Sequence, residues 1–182
     1  NTPNTVLFLG DHIYQYHLKE KKFSTITEEE GKDIVGTLVP FDHQENLTYI
    51  NDIKHIYELD DQTSRLKTVF ECYTDTVISS VSHDEQGHFW IGSNFGLIHY
   101  DPVLKSRTLV PTNLFTEINM VLCDQKGKVW IGVDNMLFAY FIKEQKFVLF
   151  GESNGAIQNE YLPNARLVNE QGDAYIGGVK GM

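Results

Sequence analysis

Carboxylates, imidazoles and thiols are the groups here that could catalyse a reaction or hold a metal, and their spacing limits what they can do. Asp60, Asp61, Asp84, Glu85 and Asp124 sit in short stretches rich in Gly, Gln, Ser and Thr that read as solvated turns. Glycoside hydrolysis needs two carboxylates facing each other across a cleft, which no spacing here prescribes. The seven histidines show no short metal-ligand spacing, and His83 and His88 flank one turn on opposite sides. There is no Gly-x-Ser-x-Gly elbow and no phosphate loop. Cys72 and Cys123 are too few for a disulfide framework, have no local His partner, and read as two buried, small apolar side chains. The expectation is a segment with no catalytic residue, no metal and no cofactor.

The elements around these groups recur. Residues 77–82 alternate apolar and small polar types, residues 84–87 form a turn, residues 88–92 carry Phe89, Trp90 and Ile91, and residues 97–100 alternate again after Asn94-Phe95-Gly96. The same order returns at residues 118–140 and 165–177, and more weakly at 46–59 and 5–16. With Gly10, Asn51, Gly92, Gly132 and Gly177 as register marks, the steps are 41, 41, 40 and 45 residues. A period of roughly 40–45 residues with four strands per unit marks a β-propeller blade. The large ring at one strand position of every unit (Phe8, Tyr49, Trp90, Trp130, Tyr175) reads as a wedge between neighbouring sheets. The small residue that follows lets backbones approach.

The chain is therefore expected to be all-β, a β-propeller fragment of about four and a half four-stranded blades. The repeats fall roughly at 1–30, 31–72, 73–112, 113–152 and 153–182 of a single segment, 1–182. Three strands, three sets of four and a final two make seventeen, and an arc of that kind would leave long unpaired edges. That points to part of a larger, seven-bladed propeller. In the second repeat the innermost strand is expected at residues 34–41, after a charged connector at 28–33. With 182 residues, 41% hydrophobic and 12% aromatic, the chain can bury a sizeable core. Its net charge of −10 argues against contact with nucleic acid or an anionic membrane. No stretch approaches the ~20 apolar residues that span a bilayer.

Residues 84–101, Asp-Glu-Gln-Gly-His-Phe-Trp-Ile-Gly-Ser-Asn-Phe-Gly-Leu-Ile-His-Tyr-Asp, resemble the two-component regulator propeller repeat. Residues 124–132, Asp-Gln-Lys-Gly-Lys-Val-Trp-Ile-Gly, do so as well, although Asn135-Met136-Leu137 lacks the second Gly. Residues 159–166 with 172–181 resemble the last blade of such propellers, and residues 1–76 match only weakly. The resemblance implies the periplasmic sensor region of a hybrid two-component system of the Bacteroidetes type, an inner-membrane histidine kinase fused to a response regulator. Such a sensor recognises glycan-derived oligosaccharides without turnover. The implied partners are an oligosaccharide, the remainder of the same polypeptide, which holds the kinase, and a second copy of the parent in a homodimer. A protein-binding scaffold propeller and a propeller glycosidase or lyase are the alternatives. Propellers bind ligands on the face built from the connections between blades and between their second and third strands. Sugars suit flat rings with amides beside them. By residue type the ligand-binding candidates are Asn94, Phe95, Asn113, Phe115, Asn135, Asn154, Gln158 and Tyr161. The competing reading of Phe95 and Phe115 is that they pack under their own loops.

Overall fold

The computed structural model describes residues 5–9, 13–28, 39–44, 47–60, 63–73 and 75–181. Every element of regular structure among them is a β-strand, apart from one 3-10 turn, and no helix is long and apolar enough to cross a membrane. The chain divides into two compact units, residues 1–73 and 74–182.

In the first unit, β1 (Thr5–Leu9), β2 (Ile13–His17) and β3 (Lys22–Thr25) form an antiparallel meander. A second sheet has the order β4-β8-β7-β6-β5, from β4 (Thr27–Glu28), β5 (Val39–Gln44), β6 (Leu47–Asn51), β7 (His55–Asp60) and β8 (Arg65–Glu71). Two of these placements differ from expectation. Of the innermost strand expected at residues 34–41, residues 39–41 lie in β5, which runs on to Gln44, and residues 34–38 lie outside the described residues. The two residues of β4 pair in parallel with β8, where the charged connector was expected to begin. Gly10 and residues 29–38 lie outside the described residues. Ile13, Ile26, Ile50, Tyr57, Leu59 and Leu66 form the unit's core. A polar chain joins its two sheets. Buried Gln15 accepts from the hydroxyl of Ser64, which lies 3.0 Å from that of Ser24, itself 2.9 Å from His17 Nε2.

The second unit follows the repeat more closely. β9 (Ile78–His83), β10 (Phe89–Ser93), β11 (Gly96–Asp101) and β12 (Ser106–Leu109) make one antiparallel sheet. β13 (Met120–Cys123), β14 (Lys128–Val133), β15 (Met136–Phe141) and β16 (Lys146–Phe150) make the next, and β17 (Tyr161–Val168) pairs with β18 (Ala174–Gly178). Side chains alternate across a strand, so β13 serves two cores at once. Val121 and Cys123 join Trp90, Leu97, Ile131, Phe138 and Tyr140 on one side. Met120 and Leu122 join Leu137 and Tyr161 on the other. All four β13 side chains are buried, as is every residue of β10. Full burial of one such apolar side chain contributes about 1.5–3 kcal/mol.

Two devices recur with the repeat and explain its sequence signature. In the turn before β10, Asp84 accepts the backbone N–H of Gln86 (2.9 Å) and His88 (3.0 Å) on one oxygen and Trp90 Nε1 (2.9 Å) on the other. Before β14, Asp124 repeats the pattern with Lys126, Lys128 and Trp130 Nε1. Before β18, Asn169 takes the N–H of Gln171 and Asp173, and the ring that follows is Tyr175, which has no indole N–H to satisfy. The turn acids are thus clasps that satisfy backbone donors. The second device lies in the turns between third and fourth strands, where Lys21, Ser64, Lys105 and Gln145 all hold positive φ (51–56°).

The aromatic wedge holds for the two tryptophans. Trp90 is buried with its ring 4.5 Å from His99 and 5.6 Å from Tyr140 of the following sheet, and Trp130 packs on the core shared with β17. It does not extend to the other three positions, since Phe8 and Tyr175 stand exposed, and Tyr49 is half-buried. Cys123 is buried, and burial pushes its thiol far up; Cys72 is only half-buried, contrary to expectation.

Sheets converge where β13 packs beside β9 and β17. A Cβ on Gly92 would lie 2.7 Å from Ile118 Cγ2, and one on Gly132 would lie 2.8 Å from Tyr161 Cβ and 3.2 Å from Met120 Cβ. The Gly132 neighbours are fixed to backbone and cannot rotate away. Gly132→Ala is expected to destabilise the fold by about 1–3 kcal/mol, whereas Gly151→Ala, with nothing within 4 Å of the added Cβ, stays within about 0.5 kcal/mol. Denaturant midpoints of the two variants check this; equal midpoints would mean that β13 and β17 do not approach as described.

Candidate functional site

Only part of the candidate set comes together in space. The turn between β14 and β15 and the connection from β16 to β17 enclose a cleft of about 410 Å³ lined by Asn135, Gln158 and Tyr161 with Phe150, Met136 and Glu152 among its walls. Asn135 and Gln158 are exposed, so their amides are open to a ligand. Tyr161 forms the floor. Its ring is buried and its hydroxyl donates to the Ile157 carbonyl at 2.6 Å, which ties the start of β17 to the loop above it. The loop opens with a 3-10 turn, Glu152–Asn154, closed by Gly155 at φ 82°. Asn154 is not in the cleft lining; its Oδ1 accepts the Gly151 N–H at 3.4 Å and holds that turn.

The remaining candidates serve other ends. Asn94 Oδ1 accepts the Val77 N–H (2.8 Å) and its Nδ2 donates to the Asp75 carbonyl (3.0 Å), so the amide fastens the β10–β11 turn to the chain leading into β9. Phe115 packs 5.1 Å from Phe138 and 5.4 Å from Phe147, under its own loop. Phe95 and Asn113 are exposed and are not among the cleft residues.

Sequence reasoning passed over two amides that do the work of Asn94 in later repeats. Asn119 Oδ1 accepts the Asp134 N–H at 2.9 Å. Asn159, buried, accepts from Lys180 N–H and donates to the Gly181 carbonyl, both at 2.9 Å. A Cβ on Gly178 would collide with Asn159 and the Glu160 carbonyl, so the glycine there leaves room for the clasp. The signal was an Asn just before the inner strands β13 and β17, hidden because the amide with the same task in the preceding repeat, Asn94, sits in the β10–β11 turn instead. Spacing also concealed a cluster of Asp84, His88 and His99 whose ligand atoms all lie within 4.8 Å of one another.

No family profile and no curated protein matches the sequence. Solved structures do match. The extracellular domain of BT4673, proposed to be a hybrid two component system of B. thetaiotaomicron, aligns with 96% of this chain at a TM-score of 0.67 and 17% identity. That of BT3049, from the same organism, aligns with 98% of the chain at 0.66 and 14%. The likeness establishes the fold. PorZ, a surface component of the type-IX secretion system of Porphyromonas gingivalis, shares it as well, over 98% of the chain at 0.65 and 11%. This chain spans about a quarter of the length of these structures (23%, 26% and 25%).

Burial pushes the Tyr161 hydroxyl above the ordinary tyrosine value of 10.0, and does the same at Tyr140 and Tyr100. The fold favours the protonated phenol. Its stabilisation is complete below the ordinary value and is lost as pH rises through the higher folded-state value. Stability is therefore expected to fall on the alkaline side of pH ~10, and Tyr161→Phe to flatten that fall, as read from denaturant midpoints between pH 8 and 11. An unchanged alkaline slope in the variant would contradict the placement of this hydroxyl.

Proposed function

We propose that this chain is a non-catalytic segment of a periplasmic sensor of the hybrid two-component type, which binds glycan-derived oligosaccharide and passes the signal to a kinase elsewhere in its polypeptide. The observation that carries this reading is the cleft of the second unit, where the exposed amides of Asn135 and Gln158 flank an apolar wall that includes Phe150. An aromatic face beside amide donors and acceptors suits a sugar ring. The sheets of three, five, four, four and two strands support blades in the register that the sequence repeat marks. The aligned extracellular domains, four times longer, support membership of a larger propeller, for which seven blades and a homodimeric parent are the proposal.

Catalysis is disfavoured by how the acids are used. Asp52, Asp84, Asp101 and Asp124 all accept backbone N–H groups in turns. The cleft lining holds one carboxylate, Glu152, where glycoside hydrolysis employs two.

Isothermal titration of the full-length polypeptide with a panel of glycan oligosaccharides, with the products analysed afterwards, tests this. The expected result is saturable binding with no turnover, weakened about 2–10-fold by Asn135→Ala or Gln158→Ala, the loss of one hydrogen bond each. Val103→Ser, in the exposed β11–β12 turn, leaves it unchanged. Released product would make the protein an enzyme, and no binding to any member would favour the protein-binding scaffold.

A further inference from the structure

The Asp84, His88 and His99 cluster lies apart from the cleft, on the first sheet of the second unit. Strand register creates it. Trp90 pairs with His99 and Phe89 with Tyr100 across β10 and β11, and side chains alternate between faces. The residue just before β10, His88, therefore shares a face with Trp90, His99 and Asp101, although His88 and His99 are eleven residues apart. Asp84 reaches the same place from the turn through the carboxylate that clasps Trp90.

The separations fit a small cation. His88 Nδ1 lies 3.2 Å from His99 Nε2 and 3.8 Å from Asp84 Oδ2. Ligands at about 2.0–2.1 Å from a tetrahedral zinc stand about 3.3–3.4 Å apart. His88 also has an outer partner. Its Nε2 faces Asp101 Oδ2 at 3.5 Å, so the carboxylate favours the proton on Nε2 and leaves the Nδ1 lone pair directed at the cluster. A carboxylate behind the far nitrogen of a ligating imidazole is the usual support of a bound metal. Asp101 is itself held by the N–H groups of Val103 (2.8 Å) and Leu104 (2.9 Å). Asp84 and Asp101 bring two negative charges beside the rings, and all three ligand residues are half-buried, leaving solvent access for a fourth ligand.

We propose that His88 Nδ1, His99 Nε2 and Asp84 Oδ2 form a binding site for one divalent transition-metal ion of the zinc class, with Asp101 orienting His88 from behind. Two imidazoles and one carboxylate suit zinc, and nickel or copper at similar geometry, more than calcium or magnesium. On binding, the one ring proton of neutral His99, shared between the two rings through Nε2, moves to His99 Nδ1, which frees both facing nitrogens to ligate. The ion would pin the turn before β10 to β11 and so brace the Trp90 wedge.

The test is calorimetric titration of the chelator-treated full chain with zinc chloride, followed by nickel chloride with Trp fluorescence as a second readout, since Trp90 stacks on His99. One ion per chain is expected. His88→Gln and His99→Gln should each weaken binding at least ~10-fold and Asp101→Asn about 10-fold, the size of a supporting-shell effect. His55→Gln, at the separate pairing with Asp52, should not weaken it. Metal-free melting temperatures of the two ligand variants show whether each is folded, and either one alone suffices. The proposal is overturned if no stoichiometric ion binds, or if binding persists undiminished in a folded His88→Gln or His99→Gln variant. The two rings would then simply share a hydrogen bond.

Discussion

The structure of the second unit depends on how closely the inner strands of successive sheets can approach. β13 lies between β9 and β17 and buries both of its faces. Its neighbours are held by polar contacts as well as packing. The Val121 and Cys123 N–H groups donate to Ser80 and Ser82 hydroxyls of β9, each at 3.0 Å. Arg166 of β17 reaches past β13 to the Ser80 hydroxyl (2.7 Å) and the Val81 carbonyl (2.5 Å). Burial drops this guanidinium to about 10, a large penalty offset by those bonds. Strands of different sheets are not paired in register, so small hydroxyls bridging backbone to backbone are what the seam requires. This explains the Ser-rich face of β9 and the glycines at 92 and 132.

That constraint separates scaffold from rim. Acids, indoles and asparagines close to the seam are committed to turns and clasps, and the loops at the outer end of β14 to β17 are left to vary. The cleft occupies that region, with its floor tied to the seam through Tyr161 and its walls on the β14–β15 and β16–β17 connections. An amide-bearing surface on a rigid floor is suited to binding a polar ligand without reacting with it. The turn carboxylates differ in that each already holds backbone N–H groups on one of its oxygens.

Much of this was legible in the sequence, because the repeat is written in local chemistry. The Asp-x-x-Gly turn followed by Trp three residues after its Gly is a contiguous pattern, and the strands of the third and fourth repeats appear within one or two residues of where the alternation placed them, whereas β17 begins four residues before the expected start at residue 165. The second repeat was less legible. Its inner strand carries Pro40 and a register shift between Pro40 and Asp42, which breaks the alternation that located the others. Residue type singled out Asn135, Gln158 and Tyr161, which line one cleft, but could not separate them from Asn94 or Phe115, which do not. Whether an amide is free or spent on a backbone N–H, and whether a ring faces solvent or two other rings, is decided by contacts across tens of residues. The His88 and His99 pairing was hidden for the same reason, since it follows from strand register and not from spacing.

Hydrogen–deuterium exchange on the full-length polypeptide, with and without a bound oligosaccharide, tests this division most directly. The Val121 and Cys123 amides are expected to exchange only on global opening, with or without ligand. The amides of residues 152–158 are expected to exchange faster than these in the free protein and to slow when oligosaccharide binds. Seam amides that exchange as fast as the loop, or an oligosaccharide that binds and leaves the loop's exchange unchanged, would contradict it.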